Sequence, residues 1–412
     1  MKPSIRCVAA AMCLLGASPL AAGDWLPSGN AKRLGFDPDR LERIAPVMQA
    51  HVDEGRLSGA AMVIIRDGKI VYRDTVGYAD IENETPLTED SVFRIYSMTK
   101  AITTTAAMSL IEEGRLRLTD PVSKFIPSFA DMKVYVSGEG DDMVVEGQKS
   151  PMTIHHLLTH TSGIPYGGRS PAMATYNDVN TSGATTLAEL VNVISQKPLV
   201  FQPGDRWLYG LSTDVMGYVV EVVSGQPFED FIADRITTPL GMDDTSFVLT
   251  PNLRGRVATA YEQGDGRIKL AGGLGVRSYE PEDVIPSGGG GLLSTPADYA
   301  RFAQMLLNGG VLGDVRILSP RSVELMSRNH MSDEQKFSPG MGFGLGFAIA
   351  EDPGLRKSFL SEGSYSWAGA ADTHFWIDPE KNLIGIAMTQ IIGNSSPLRD
   401  DMRAMTYQAL MD

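Results

Sequence analysis

Strand-forming segments stand at the two ends of this 412-residue chain and helix-forming ones fill the space between them. Near the N-terminal end, Ala60 to Ile65 is apolar, Asp67-Gly68 offers a turn of positive φ, and Ile70 to Val76 returns, the pattern of a β-hairpin. Toward the other end, Phe343 to Ile349 predicts a strand, and His374 to Ile377 with Leu383 to Thr389 predict a second hairpin around Asp378-Pro379. Helices are expected over Pro38 to Glu54, where Leu41, Ile44, Val47, Met48 and Val52 form a stripe, over Met98 to Glu113, and over Pro397 to Leu410. Between Arg115 and Met341 short helical segments dominate: Thr153 to His160, Thr186 to Ile194, Ser212 to Val223 and Thr295 to Leu307, joined by Pro- and Gly-rich loops. Strands need partners, so the two ends are expected to share one sheet. The reading is an α+β fold: an antiparallel sheet with flanking helices from residues 24–114 and 341–412, and a mostly helical region over 115–340. The cleft between these two regions is the expected ligand site.

The first residues follow another logic. Lys2 and Arg6 precede an apolar run from Cys7 to Leu15, and small residues follow at Ala17, Ala21, Ala22 and Gly23. This is the layout of a secretory signal peptide, residues 1–23, which predicts an exported protein, periplasmic or extracellular. Cleavage after Ala22 or Gly23 would remove both cysteines, Cys7 and Cys13, and with them disulfide, thiolate-metal and cysteine-nucleophile chemistry. Downstream, no apolar run reaches the roughly 18 residues a spanning helix needs, so no stable membrane insertion is expected after cleavage. With 36 basic against 50 acidic residues the formal charge is −14, which argues against a nucleic-acid partner.

Chemistry concentrates in Phe93-Arg94-Ile95-Tyr96-Ser97-Met98-Thr99-Lys100, which holds the chain's one Ser-x-x-Lys. A serine hydroxyl needs a neighbour that takes its proton. A lysine three residues on shares its helix face, and a helix start aims N–H groups at an oxyanion. Alone, the tetrapeptide fits a structural N-cap as readily. Competing signals are weak: no Gly-x-Ser-x-Gly elbow occurs, and the six histidines show no triad-like placement.

These residues carry a resemblance. Thr153 to Gly163 (Thr-Ile-His-His-Leu-Leu-Thr-His-Thr-Ser-Gly), Phe201-Gln202-Pro203-Gly204-Asp205, Pro239-Leu240-Gly241-Met242, Gly288 to Phe302 and Trp367-Ala368-Gly369 follow in order. Together with Phe93 to Lys100 they resemble the serine β-lactamase and penicillin-binding-protein superfamily, in its class C-like branch with the family VIII carboxylesterases. The resemblance implies Ser97 as nucleophile, Lys100 as its partner and Tyr209 as a general base, with neither Lys100 nor Tyr209 singled out as the kinetic one. Two motifs depart from the β-lactamases. Tyr209-Gly210-Leu211 has leucine where they carry the asparagine that contacts the acylamino group. Trp367-Ala368-Gly369 replaces their Lys-Thr-Gly, and no Lys-x-Gly exists in the chain. The resemblance then places Trp367 and Gly369 beside the substrate and the N–H of Ala370 with that of Ser97 in an oxyanion hole. It implies no cofactor. The expected activity is hydrolysis of short- or medium-chain carboxylic esters through an acyl-enzyme, with some β-lactam cleavage left open. The alternatives are a β-lactamase or D-alanyl-D-alanine peptidase, and a non-enzymatic module on the same scaffold. Oligomeric state and natural substrate are not legible.

Two further patterns carry blander readings. His156 and His160 have metal-ligand spacing but no third ligand, which favours packing or capping. Gly288-Gly289-Gly290-Gly291 lacks the Gly-Lys-Ser/Thr of a phosphate loop and is expected to serve close backbone packing.

Overall fold

The computed structural model describes residues 26–272, 278–335, 337–393 and 397–412; the expected signal segment, with Cys7 and Cys13, lies outside them. An eight-stranded sheet runs in the spatial order Met341–Phe343, Ala348–Ala350, Tyr365–Ala368, His374–Asp378, Leu383–Met388, Gly59–Arg66, Lys69–Asp80, Thr85–Pro86. Every neighbouring pair is antiparallel. The two chain ends meet where Gly59–Arg66 pairs with Leu383–Met388, with Ala61 opposite Met388 and Arg66 opposite Leu383. Asp67 at φ 53° and Gly68 at φ 73° close the first hairpin, a turn whose twist matches its strands.

Ala60 to Ile65 reads as a continuous apolar run because both faces of that strand are covered. Ala61, Val63 and Ile65 pack into the large core shared with the helical region. Met62 and Ile64 face the other way, against Ile44 and Met48 of the Ile44–Asp53 helix and Leu398 and Met402 of the C-terminal helix Leu398–Tyr407. Each such buried aliphatic side chain contributes about 1.5–3 kcal/mol. The Thr99–Glu112 helix lies in the large core and is buried from Thr99 to Leu110. Its threonines bond inside the structure: Thr103 Oγ1 donates to the Gly288 carbonyl at 2.7 Å and Thr105 Oγ1 to that of Ala101 at 2.9 Å.

Two expected elements differ. The helix expected over Pro38 to Glu54 is two helices, Pro38–Leu41 and Ile44–Asp53. Pro46 has no N–H to give Glu42 and its ring would meet that carbonyl, so a helix restarts with Pro46 in its first turn. The strand expected over Phe343 to Ile349 folds back on itself, with Phe343 opposite Ala348. Gly346 turns there at φ 81°, where a Cβ would meet the Thr104 side chain. Among the described residues no helix is long and apolar enough to cross a membrane.

Candidate active site

Ser97 sits in a single 3₁₀ turn, Tyr96–Met98, that leads into the Thr99–Glu112 helix. The turn is strained: Tyr96 has φ 42°, a conformation that costs a non-glycine residue about 1–3 kcal/mol. Gly290 packs against the backbone of Tyr96. Three residues on, Lys100 is 1% exposed and its ammonium has three acceptors: Ser97 Oγ at 3.3 Å, the Tyr166 hydroxyl at 2.8 Å and the Gly289 carbonyl at 2.5 Å. Burial presses the Lys100 pKa down, but the Tyr166 and Tyr209 oxygens and the Asp214 carboxylate more than offset it, and the pKa is raised overall. Lys100 is therefore an ammonium whose three protons all have partners.

Asp214, on the Ser212–Ser224 helix, holds the glycine loop in place. Its Oδ1 accepts from Ser287 Oγ and from the Gly289 N–H at 3.2 Å. A Cβ on Gly288 would run into the Thr213 carbonyl and one on Gly289 into the Asp214 carboxylate, so the glycine run is close packing that delivers one carbonyl to Lys100. Tyr166 and Asp214 were not singled out by sequence reasoning, and Gly289 was read there only as close backbone packing. Tyr166 is three residues past the Thr161-Ser162-Gly163 block, and only the fold turns it toward Lys100. Burial raises the Tyr166 pKa, and Lys100 opposes the rise.

Tyr209 is on the opposite wall. Its ring lies 4.7 Å from Lys100 Nζ, and its hydroxyl accepts from Trp367 Nε1 at 3.2 Å. Trp207 stacks on Tyr209 at 5.9 Å, and Phe343 and Phe337 flank Trp367 at 5.3 and 6.1 Å, so the tryptophan is one panel of an aromatic wall. Buried Leu211 ends the loop before the Ser212–Ser224 helix. Gly369 follows the Tyr365–Ala368 strand, where a Cβ would collide with the Ile95 carbonyl. Its N–H donates to Thr373 O at 2.7 Å, while the next N–H, that of Ala370, has no partner among the described residues. Arg399 braces this turn, donating to Asp372 Oδ1 at 2.6 Å and to the Gly369 carbonyl at 3.3 Å.

Two cavities meet at Ser97, Tyr209 and Ala370, which line both. One, of about 570 Å³, includes Trp207, Phe337, Trp367 and Gly369. The other, of about 560 Å³, includes Tyr166, Leu190, Leu211 and Ile285. Volumes of this size suit small-molecule ligands. The structure thus brings together every candidate residue: Ser97, Lys100 and Tyr209, with Trp367, Gly369 and Ala370 on one side and Leu211 on the other. His156 forms a capping box with Thr153, and buried His160 packs 4.9 Å from the Tyr209 ring. Among the described residues no cluster of His, Cys, Asp or Glu could hold a metal ion.

Comparison with known proteins gives the geometry a context. The Beta-lactamase family profile matches residues 44–409. Protein Rv1367c of Mycobacterium tuberculosis is 36% identical, over 82% of this chain and 87% of that one. Esterase EstB of Burkholderia gladioli is 30% identical, over 89% of this chain and 94% of its own length. Among solved structures, EstCE1, described as a hydrolase with promiscuous acyltransferase activity, superposes with a TM-score of 0.77 at 28% identity, covering 90% of this chain and 99% of that one.

Proposed function

This chain belongs to the Beta-lactamase family, and from that premise and the geometry at Ser97 we propose that it is an exported serine carboxylesterase that works through an acyl-enzyme. The observation that carries the reading is the 3.3 Å contact between buried Lys100 Nζ and Ser97 Oγ, placed where two cavities meet. EstB and EstCE1 bear esterase and hydrolase names, which supports an ester as the substrate class.

In the proposed reaction Ser97 Oγ bonds to the ester carbonyl carbon as its proton passes to the oxygen of Tyr209, which reacts as the phenolate. Because Lys100 holds its proton in the resting site, its charge stabilises the serine oxygen as that proton leaves. The oxyanion rests on the N–H groups of Ser97 and Ala370. Collapse breaks the bond to the alkoxy oxygen, which takes the proton and departs as the alcohol. Water then adds to the acyl carbon, and Ser97 recovers its hydrogen as the acid leaves. Trp367 gives an apolar wall and one N–H, and Leu211 gives no amide, so apolar uncharged groups are favoured against those walls over a carboxylate or an acylamino group. The charged hydrogen bond lost at Trp367 costs a β-lactam about 1.5–3 kcal/mol, and the neutral one lost at Leu211 about 0.5–1.5 kcal/mol.

Purified Ser97→Ala should lose turnover of 4-nitrophenyl butyrate to below a few per cent of wild type, with its melting temperature unchanged. Wild type should prefer that ester to penicillin G by about two to three decades in kcat/KM. Retained activity in Ser97→Ala removes the nucleophile assignment, and equal turnover of penicillin G replaces the esterase by a β-lactamase. N-terminal sequencing of protein exported from a bacterial host tests the signal peptide; retention of Met1 contradicts it.

A further inference from the structure

Two backbone N–H groups make an oxyanion hole only while both aim at one point, and those of Ser97 and Ala370 come from opposite ends of the chain. Among the described residues no strand pairing joins the Tyr96–Met98 turn to the turn that follows Ala368. Buried side chains make the link instead. Thr373, wholly buried, is engaged through both its backbone and its side chain. Its carbonyl accepts from the Gly369 N–H at 2.7 Å, which closes the turn presenting Ala370. Its hydroxyl donates to the Ile95 carbonyl at 3.3 Å. That same carbonyl accepts from the Met98 N–H at 3.1 Å, across the turn that carries Ser97. One oxygen therefore belongs to both turns.

A second clamp lies just past the Leu383–Met388 strand. The buried Gln390 amide pairs with both backbone groups of Arg94, accepting from its N–H at 3.2 Å and donating to its carbonyl at 3.1 Å. Its neighbour Thr389, also buried, donates to the Ala371 carbonyl at 2.8 Å, and the Ile391 N–H donates to the same oxygen at 3.1 Å. The bonds close a ring, with Arg94 and Ile95 on the nucleophile side and Ala371 and Thr373 on the oxyanion side. Asp372 stands within it at φ 61°, a conformation that a non-glycine residue keeps only where its surroundings fix it.

We propose that Thr373 is a positioning residue of the reaction: its hydroxyl sets the spacing of the Ser97 and Ala370 N–H groups, while Gln390 and Thr389 hold the frame around it. The hydroxyl acts through the Ile95 carbonyl and not on the substrate. That carbonyl keeps the Met98 N–H when the hydroxyl is removed, so no buried acceptor is orphaned. What is lost is the tie between the two turns. Donors that drift apart weaken their hold on the oxyanion, whose charge develops only in the transition state, and leave the bound ester little affected. The cost therefore falls on kcat and not on KM. The inference rests on the acyl-enzyme reading, with Ser97 and Ala370 as the oxyanion donors.

The test compares Thr373→Ser with Thr373→Ala, which both lack the γ-methyl and differ only in the hydroxyl. On 4-nitrophenyl butyrate Thr373→Ser should keep kcat within about twofold of wild type, while Thr373→Ala falls about tenfold at unchanged KM. The second readout is the rate at which an alkyl fluorophosphonate labels Ser97, followed by mass spectrometry. There Ser97 Oγ bonds to phosphorus, fluoride leaves, the serine proton passes to Tyr209, and the phosphoryl oxygen takes the oxyanion's place. Labelling should be about tenfold slower in Thr373→Ala than in Thr373→Ser. Equal kcat and equal labelling in the two variants overturn the proposal, and a lower melting temperature in Thr373→Ala alone would then assign the hydroxyl to packing. Absent ester turnover with the labelling contrast intact would remove the esterase reading alone. No label on Ser97 in wild type would remove the nucleophile and this inference with it.

Discussion

Trp367 Nε1 donates a 3.2 Å hydrogen bond to the hydroxyl oxygen of Tyr209. The tryptophan is thus tied to the tyrosine that the proposed mechanism asks to receive a proton, besides walling the cavity.

Trp367→Phe separates the two roles. It keeps an aromatic panel and removes the N–H, which as a neutral hydrogen bond contributes about 0.5–1.5 kcal/mol. Steady-state kinetics on 4-nitrophenyl butyrate should show kcat lowered by about two- to tenfold with KM little changed. Trp367→Ala, which also opens the wall, should raise KM as well. If Trp367→Phe is indistinguishable from wild type, the hydrogen bond has no part in the reaction.

Gly369→Ala tests the oxyanion turn. A methyl group there meets the Ile95 carbonyl, so the backbone must shift and carry the Ala370 N–H with it. Overpacking of this kind costs about 1–3 kcal/mol of stability. Loss of one oxyanion donor costs about 10²–10³ in kcat. A fall in melting temperature with kcat preserved would remove Ala370 from the oxyanion hole.

A pH dependence arises away from the site. Asp298 is 2% exposed on the Pro296–Leu307 helix. Burial raises its pKa to about 7, against hydrogen bonds such as that from Thr245 Oγ1 at 2.8 Å. An acid whose pKa is higher folded than unfolded holds its proton more tightly in the folded state, so its contribution to stability falls as pH rises from about 4 to about 7 and is level above that. Urea unfolding of wild type against Asp298→Asn should show the wild type losing ground over that window and a constant gap beyond it. A gap independent of pH would mean that Asp298 is ionised throughout.

Much of this was legible in the sequence, for reasons of range. The Asp67-Gly68 hairpin, the sheet fed from both ends and the Ser97–Lys100 pair rest on short spacings that a chain displays directly. Tyr166, Gly289 and Asp214 converge on Lys100 from three separate segments, and nothing local to any of them reports that convergence. Arg399 and Arg403 look like solvated charges on an amphipathic helix until the fold lays them along the cavity that reaches Ser97. The errors were local in another sense: Pro46 and Gly346 each interrupt an apolar pattern whose periodicity alone reads as one element.

The most direct test is to trap the acyl-enzyme. Wild-type protein mixed with 4-nitrophenyl butyrate and quenched in acid within the first turnovers should carry one butyryl group, and peptide mass spectrometry should place it on Ser97. A butyryl group on another residue, or rapid ester turnover with Ser97 never acylated, would contradict the nucleophile and the mechanism built on it.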